Sequence, residues 1–169
     1  MYQHQGWWFP DEESHFPKML DKNVAKGGQP VYQEPVRQRS IALTKNKRLA
    51  LDIGANVGLW SRDLCENFDR VIGFEPVAKF RDCLIKNVKN LNFEVRPIAL
   101  GHEATWANMN ITPGNTGHSH IDPTSIGAGE TQVRKLDNLE LNNVDYIKVD
   151  CEGYEYKVLL GAEQTIKRC

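Results

Sequence analysis

Long apolar runs, blocks of like charge and a secretory leader are all missing from this sequence, and each absence excludes a class of protein. No apolar run approaches the roughly 18 residues that span a membrane. The first residues also lack the cationic and then apolar segments of a secretory signal. The net charge is -1, and no basic stripe is present for a nucleic-acid surface. We therefore expect no membrane association and no nucleic-acid partner.

Paired cysteine motifs and metal-binding clusters are missing as well. The cysteines are Cys65, Cys83, Cys151 and Cys169. None of them shows a Cys-x-x-Cys spacing, so we expect reduced, structural thiols and a cytoplasmic location. His118 and His120 lie close together, but no third ligand is apparent, and we expect no metal site.

The length and composition that remain are ordinary for one globular domain. The chain has 169 residues, of which 40% are hydrophobic and 25% are charged. Residues 1–47 show no clean periodicity, whereas strand and helix patterns are clear from residue 48 onwards. We therefore divide the chain into an aromatic-rich extension, 1–47, and a folded domain, 48–169.

A stretch near residue 50 predicts the central element of the fold. Residues 49–51 are apolar and indicate a buried strand, and Gly54 and Gly58 follow in a turn. Apolar side chains then recur with the spacing of one helix face, at Val57, Trp60, Leu64, Cys65 and Phe68. A strand, a glycine turn and a helix together hold nucleotide-like ligands. We expect the glycines to let the backbone approach such a ligand, because they have no Cβ.

Acidic residues near this turn reduce the range of ligands that the turn could bind. Asp52 precedes the turn, where a carboxylate would repel a pyrophosphate but accept a hydrogen bond from an amino group. Glu75 ends the next apolar run, about twenty residues after the glycines, which is the position that binds ribose hydroxyls. Asn56 replaces the middle glycine of the dinucleotide motif G-x-G-x-x-G. The pattern favours a nucleoside with a charged, non-phosphate tail, such as S-adenosylmethionine.

Strand and helix patterns alternate along the rest of the domain. Further strands are expected at 71–74, 93–99 and 145–150, with helices at 77–88 and 154–166 and two extra strands at 106–111 and 132–136. Alternation implies a parallel sheet whose ligands bind beyond the carboxyl ends of its strands. Asp52, Glu75 and Asp150 each fall at such an end. The sequence therefore predicts one shared site.

Five motifs occur in an order that resembles a known family. They are Leu51-Asp-Ile-Gly-Ala-Asn-Val-Gly58, Gly73-Phe-Glu-Pro76, Ile98-Ala-Leu-Gly101, Leu136-Asp-Asn-Leu139, and Ile147-Lys-Val-Asp-Cys-Glu-Gly-Tyr-Glu155 with Leu160-Gly-Ala162. Together they resemble the FkbM family of S-adenosylmethionine-dependent methyltransferases over residues 48–166. The resemblance implies an α/β fold, namely a Rossmann-like three-layer sandwich with a mostly parallel sheet and a small antiparallel insertion.

The resemblance also implies a set of cofactor-binding residues. They are Asp52, Gly54, Ala55, Asn56, Gly58, Glu75, Pro76 and Leu100. Residues 54–58 would cradle the methionine part of S-adenosylmethionine, and Asp52 would orient its ammonium group. Glu75 would hold the ribose hydroxyls, with Pro76 and Leu100 near the adenine.

Asp150 and Glu152 are the candidate catalytic residues, since both follow the strand expected beside the first one. The resemblance implies O-methylation of a hydroxyl on a sugar or small metabolite, which is the expected partner, and such an acceptor must lose a proton to a positioned base. Two other interpretations stay open. Glu152 would cap the following helix, or Asp150 would accept hydrogen bonds from loop amides.

Two segments outside the motifs also leave alternatives open. The aromatic residues 7–9 either plug an apolar face of the sheet or form a lid, with Asp11, His15 or Tyr32 near the chemistry. Residues 112–130 are rich in glycine and polar side chains, which is typical of an acceptor-binding or gating loop and also of a mobile one.

The last helix pattern is followed directly by the end of the sequence. A full methyltransferase sheet has seven strands, so we expect a truncated sheet whose strand 145–150 has an open edge, covered by another segment or a second copy. Two alternative functions follow. One is a non-catalytic cofactor-binding module or inactive fragment. The other is an NAD-dependent oxidoreductase, which the missing middle glycine argues against.

Overall fold

The computed structural model describes residues 1–169 as short strands and helices. The strands are β1 (Tyr2–His4), β2 (Trp7–Phe9), β3 (Leu49–Ile53), β4 (Arg70–Phe74), β5 (Phe93–Arg96), β6 (Ala99–Leu100), β7 (Thr105–Ala107), β8 (Met109–Asn110), β9 (His120–Ile121), β10 (Thr131–Arg134) and β11 (Val144–Val149). The α-helices are α1 (His15–Ala25), α2 (Glu34–Leu43), α3 (Ser61–Asn67), α4 (Ala78–Asn87), α5 (Glu155–Leu160) and α6 (Glu163–Lys167). Single 3-10 turns occupy Thr116–His118, Pro123–Ser125 and Leu136–Leu139.

Four parallel strands form the central sheet, in the order β11–β3–β4–β5. Asp52 on β3 lies opposite Lys148 on β11 and opposite Gly73 on β4. The strand order reverses between β3 and β11, and ligands of such sheets bind beyond the carboxyl ends of the strands at this point. The predicted Rossmann-like α/β architecture with a mostly parallel sheet is confirmed.

Strand β3 is buried on both faces, which explains its continuous apolar sequence. Leu49, Leu51 and Ile53 face a large core that the small sheets and α5 cover. Ala50 faces the opposite core, which is built with residues of α2, α3 and α4. Helices α2, α3 and α4 therefore lie on one side of the central layer, and the small sheets with α5 lie on the other.

The prediction of one strand over residues 93–99 is wrong. Strand β5 ends at Arg96, and Ala99 begins β6 in a different sheet, where it pairs with β10. Pro97 stands at the break, because proline lacks the N–H that a continuing ladder needs. The insertion is also mixed, since β10 runs antiparallel to β7 but parallel to β6.

The prediction of one helix over residues 154–166 is also wrong. Helices α5 and α6 are separate, and the chain between them approaches β6 at Gly161, where a Cβ would lie 1.9 Å from the Gly101 carbonyl oxygen. Leu159 and Ile166 are 46% and 40% exposed. Strand β11 forms one edge of the central sheet, and its coverage by a second copy stays a prediction. None of the helices has the length and apolar character that crossing a bilayer requires.

The N-terminal segment is folded, although its sequence shows no clear period. Strands β1 and β2 form a hairpin, and α1 follows it. Trp7 and Phe9 are buried against the segment after the glycine turn and against α4, so the prediction that they plug a face of the sheet is wrong. Asn87 fixes the hairpin, because its amide group donates to the carbonyl oxygens of Trp8 and Val57, at 2.9 and 2.7 Å.

Candidate functional site

A cleft lies beyond the carboxyl ends of β3, β4 and β11, at the place where the strand order reverses. It encloses about 570 Å³, including the part that is open to solvent. Of the predicted site residues, its lining includes Gly54, Asn56, Glu75, Pro76, Leu100, Asp150 and Glu152. The structure thus brings most of the predicted site together, and the volume suits a nucleoside-sized ligand.

Glu75 is the buried carboxylate of this cleft. Its two oxygens accept hydrogen bonds from the backbone amides of Asn56, at 2.9 Å, and Val77, at 2.8 Å. Burial raises the pKa of Glu75 to about 7, and these two amide hydrogen bonds oppose part of that increase. The remaining lone pairs can accept hydrogen bonds from two neighbouring hydroxyl groups, which is the chemistry that a ribose offers.

The glycine turn does not present free amides to the cleft. The amides of Gly54 and Ala55 both donate to the Phe74 carbonyl oxygen, at 3.1 Å, and the Gly58 amide donates to the Ala55 carbonyl oxygen at 2.8 Å. A phosphate therefore finds few donors here, and α3 is too short to supply a strong dipole. This geometry argues against a pyrophosphate ligand.

The two glycines of the turn also make close packing within the protein possible, and their approach to a ligand stays a prediction. Gly54 has φ +77°, and a Cβ there would lie 2.0 Å from the Asp150 carbonyl oxygen. Gly58 has φ +91°, and its Cβ would lie 2.6 Å from a methyl carbon of Leu84 on α4. Both positions therefore serve close packing of the protein against itself, and Gly58 does not line the cleft.

Asp52 lies beneath the cleft rather than in its wall. Its carboxylate is fully buried, forms an ion pair with Lys148 at 2.9 Å and accepts a hydrogen bond from the Ser61 hydroxyl at 2.6 Å. The Lys148 ammonium also donates to the Gly54 carbonyl oxygen at 2.9 Å. Burial lowers the pKa of Lys148, but attraction to Asp52 and Asp150 outweighs burial, and the net pKa is raised. The contact of Asp52 with a cofactor stays a prediction.

Asp150 and Glu152 are exposed and face the cleft from the end of β11. Burial, followed by repulsion from Asp150, raises the pKa of Glu152. Helix α5 has no side-chain cap, so the capping role suggested for Glu152 is wrong. The Glu155 carboxylate accepts hydrogen bonds from two amides of the turn before α5, those of Cys151, at 2.8 Å, and Gly153, at 2.9 Å. No loop amide donates to the Asp150 side chain, so both candidate catalytic carboxylates have free acceptor atoms.

Residues of the glycine-rich segment 112–130 form part of the cleft wall. Thr116 is buried, and its hydroxyl donates to the Asn56 side-chain oxygen at 3.1 Å. The Thr116 amide donates to the buried Glu13 carboxylate at 2.6 Å. The other oxygen of Glu13 accepts hydrogen bonds from the first amides of α1, so the N-terminal segment holds this wall in place.

Tyr154 was not among the predicted site residues. It lines the cleft beside Leu100, its hydroxyl is buried, and that hydroxyl has no hydrogen-bond partner within the protein. A buried polar atom without a partner is costly, and a ligand that offers a polar edge would satisfy it. Adenine combines such an edge with an apolar face, which suits the neighbouring Ile98 and Ala99. The residues present therefore fit an adenosyl ligand.

Lys148 was missed as well, although the sequence carries a signal for it. A lysine inside a buried parallel strand needs a partner. Lys148 stands two residues before Asp150, as Asp52 stands two residues before Gly54, so equal register would have paired them. For Thr116 and Tyr154 the sequence gives no comparable signal, because their partners come from distant parts of the chain.

A comparison with models of protein families identifies the family of this chain. A family model described as "Methyltransferase FkbM domain" matches residues 52–169. No match was found among curated protein sequences. One similar solved structure is phosphoethanolamine N-methyltransferase 1 of Haemonchus contortus, in complex with phosphoethanolamine and S-adenosylhomocysteine, with 19% identity and a TM-score of 0.30. That alignment covers 48% of this chain and 20% of the other, so this chain matches about a fifth of the length of that enzyme.

The family match spans well over half of the chain and begins within β3. It includes the glycine turn, Glu75, and the carboxylates after β11. This protein therefore belongs to the FkbM methyltransferase domain family.

Proposed function

We propose that this protein is an S-adenosylmethionine-dependent methyltransferase that methylates a hydroxyl group of a sugar or small metabolite. One observation carries the cofactor part of the proposal. The buried Glu75 carboxylate lines the cleft at the switch point of the sheet, on the second strand of a glycine-turn unit. A carboxylate at this position is suited to the two hydroxyls of a ribose.

The remaining cleft residues can be assigned to different parts of an adenosyl ligand. Pro76 and Leu100 provide apolar contacts for the adenine, and the Tyr154 hydroxyl provides a hydrogen bond to one of its polar edges. Asn56, held by Thr116, and Gly54 lie on the side of the cleft towards β11. Family membership supports this assignment, since the match covers all of these residues.

S-adenosylmethionine supplies a methyl group on a cationic sulfur. The protein's part is to align the acceptor with that methyl group and to remove the acceptor's proton. We assign the proton to Asp150 or Glu152, which flank the mouth of the cleft with free oxygens. The raised pKa of Glu152 makes its carboxylate a stronger base, because it brings that pKa closer to neutral pH.

Calorimetry with S-adenosylhomocysteine tests the cofactor part. We expect the wild-type protein to bind this ligand, with NAD showing no competition. Glu75→Ala should lose at least about tenfold in affinity, because the ribose hydroxyls lose a charged acceptor. Glu66→Ala, which removes an exposed glutamate on α3, serves as the matched control and should leave affinity unchanged.

Transfer of a labelled methyl group to a panel of sugars and small hydroxyl compounds tests the catalytic part. We expect one or more acceptors to be methylated, and Asp150→Asn or Glu152→Gln to lower kcat while cofactor affinity stays the same. Cofactor binding without transfer to any acceptor would reject catalysis and leave a binding module. Absence of cofactor binding would reject the proposal as a whole.

A further inference from the structure

The loop between β8 and β9, residues 112–119, forms one wall of the cleft and closes on itself. The Thr112 amide donates to the Ser119 hydroxyl oxygen, and the Thr112 hydroxyl donates to the His118 carbonyl oxygen, both at 3.2 Å. Thr116 and Ser119 line the cleft. Because the two ends of this cover loop are joined to each other, the loop can keep its internal structure while its outer contacts change.

The start of α1 holds the cover loop from outside the cleft. The Gly114 carbonyl oxygen accepts hydrogen bonds from the amides of Ser14 and His15, both at 3.1 Å, and from the Ser14 hydroxyl at 3.2 Å. The Thr116 amide donates to the buried Glu13 carboxylate at 2.6 Å, which is a charge-assisted hydrogen bond. Glu13 does not line the cleft, so its contact with the loop lies behind the wall.

The cover loop is also bonded to the opposite side of the cleft. The Thr116 hydroxyl donates to the Asn56 side-chain oxygen at 3.1 Å, and the Asn56 backbone amide donates to the Glu75 carboxylate at 2.9 Å. Asn56 belongs to the glycine turn, so this contact joins the loop to the ends of the central strands. A ligand whose ribose is bound by Glu75 would lie next to this contact.

All of these contacts join protein groups to one another, and none of them requires a bound ligand. They therefore stabilise a closed cover loop to the same extent before and after a ligand binds. Interactions that both states share do not change the equilibrium between them. They do slow every step in which the loop must separate from α1.

We propose that the cover loop is a gate of the cofactor cleft and that Glu13 is its latch. The loop separates from α1 when S-adenosylmethionine enters or S-adenosylhomocysteine leaves, and it closes again afterwards. This inference rests on the proposed function, since it concerns exchange of the same ligand. It assigns to the segment before the family match an effect on the rate of cofactor exchange without an effect on affinity. Loop opening of this kind limits turnover in many enzymes.

Stopped-flow kinetics with S-adenosylhomocysteine tests the gate, and calorimetry measures the affinity. In Glu13→Gln a single acceptor oxygen replaces a carboxylate that serves three amides, so the closed loop is weakened. We expect the association and dissociation rate constants both to rise by about tenfold or more. The Kd should stay within about threefold, because the closed loop is weakened equally with and without the ligand. Glu12→Gln alters an exposed contact with Lys79 and should change neither rate constant.

Thr116→Val tests the other contact of the gate and leaves α1 untouched. The variant keeps the branched shape of the side chain but cannot donate to Asn56. We expect both rate constants to rise by about fivefold, because a neutral hydrogen bond is lost. Thr124→Val is the matched control, since its hydroxyl is exposed and donates to Asp122 outside the cover loop. This pair also stands alone if Glu13→Gln does not fold.

The possible results separate the gate from the proposed function. Parallel rises of both rate constants in Glu13→Gln and Thr116→Val, with both controls unchanged, support the inference. Faster dissociation alone, with weaker affinity, shows that the contacts act only in the complex and overturns the inference. Unchanged rate constants in both variants overturn it as well, and the proposed function then still stands. Failure of the wild-type protein to bind S-adenosylhomocysteine overturns the proposed function and this inference together.

Discussion

Lys148 on β11 and Asp52 on β3 form an ion pair in which neither side chain is more than 10% exposed. The ion pairs Arg37–Asp63 and Arg48–Asp145 each have one buried side chain as well, but the other member is 29% exposed in the first pair and 48% exposed in the second. The pair links the two strands whose carboxyl ends border the cleft, and its ammonium also holds the Gly54 carbonyl oxygen. The shape of the glycine turn therefore depends on a charge pair that the cleft does not expose.

Breaking this pair should cost stability. In Lys148→Met the buried Asp52 carboxylate keeps only the Ser61 hydroxyl as a partner, and we expect a loss of about 3 kcal/mol or more in the free energy of unfolding. Urea denaturation measures it. The double variant with Asp52→Asn should lose less than the sum of the two single variants, since no unpaired charge remains.

A surface ion pair provides the control for this prediction. Lys167→Met removes the partner of Glu163 in an i,i+4 pair whose side chains are both about 60% exposed. We expect a change of at most about 0.5 kcal/mol there. Equal effects of Lys148→Met and Lys167→Met would contradict the role assigned to the buried pair.

Binding of S-adenosylhomocysteine should depend on pH through Glu75. Burial raises the pKa of this group to about 7, so it is protonated in the free protein below that pH. Ribose hydroxyls donate to the ionised form, and binding therefore requires release of a proton when the pH is below 7. We expect affinity to fall by up to roughly tenfold for each pH unit below 7 and to level off above it.

Calorimetry in buffers of different ionisation enthalpy measures the number of protons that are released when S-adenosylhomocysteine binds. Glu75→Gln has no proton to release at this position, so its weaker binding should be independent of pH in the same range. A pH dependence that survives in Glu75→Gln would show that another group is responsible.

Gly54→Ala should be far more damaging than an alanine at another glycine of similar backbone conformation. At Gly54 the new Cβ meets the Asp150 carbonyl oxygen at 2.0 Å, whereas at Gly127, with φ +91°, nothing lies within 4 Å. Gly127→Ala should lose only the conformational cost of about 1 kcal/mol. We expect a loss of about 3 kcal/mol or more for Gly54→Ala in thermal or urea unfolding, since β3 and β11 must move apart.

Glu13 should control the order of the cleft wall around Thr116. A glutamine there has one acceptor oxygen, whereas the carboxylate accepts from the amides of His15, Phe16 and Thr116. Hydrogen exchange at the Thr116 amide should accelerate by about tenfold or more in Glu13→Gln. The neighbouring Glu12→Gln changes only a partly exposed contact with Lys79 and should leave that exchange rate unchanged.

The central sheet could be predicted from the sequence because parallel strands are continuous apolar runs with polar residues at their ends. That rule located β3 and β4, and it placed Glu75 and Asp150 at one rim. It failed where the backbone changes sheets at Pro97, since Phe93, Val95 and Ala99 continue one alternating apolar pattern through both β5 and β6. Helix α1 was missed because its buried residues, Phe16, Pro17 and Leu20, form too short a pattern.

The structural roles of individual residues were harder to predict than the positions of those residues. Gly54 was expected to make room for a ligand, and the structure adds a second neighbour, the Asp150 backbone, which arrives from the far end of the domain. Tyr32 belongs to a segment without periodicity, and only the folded chain brings its hydroxyl beside Gln33 and Trp60. Contacts between distant segments determine these roles, and no local pattern encodes them.

The most direct test of the account is a crystal structure of the protein with S-adenosylhomocysteine. We expect the ribose hydroxyls within hydrogen-bond distance of the Glu75 carboxylate and the adenine between Pro76 and Leu100. A ligand bound elsewhere, or a Glu75 carboxylate that contacts only the amides of Asn56 and Val77 while the ligand is present, would contradict it.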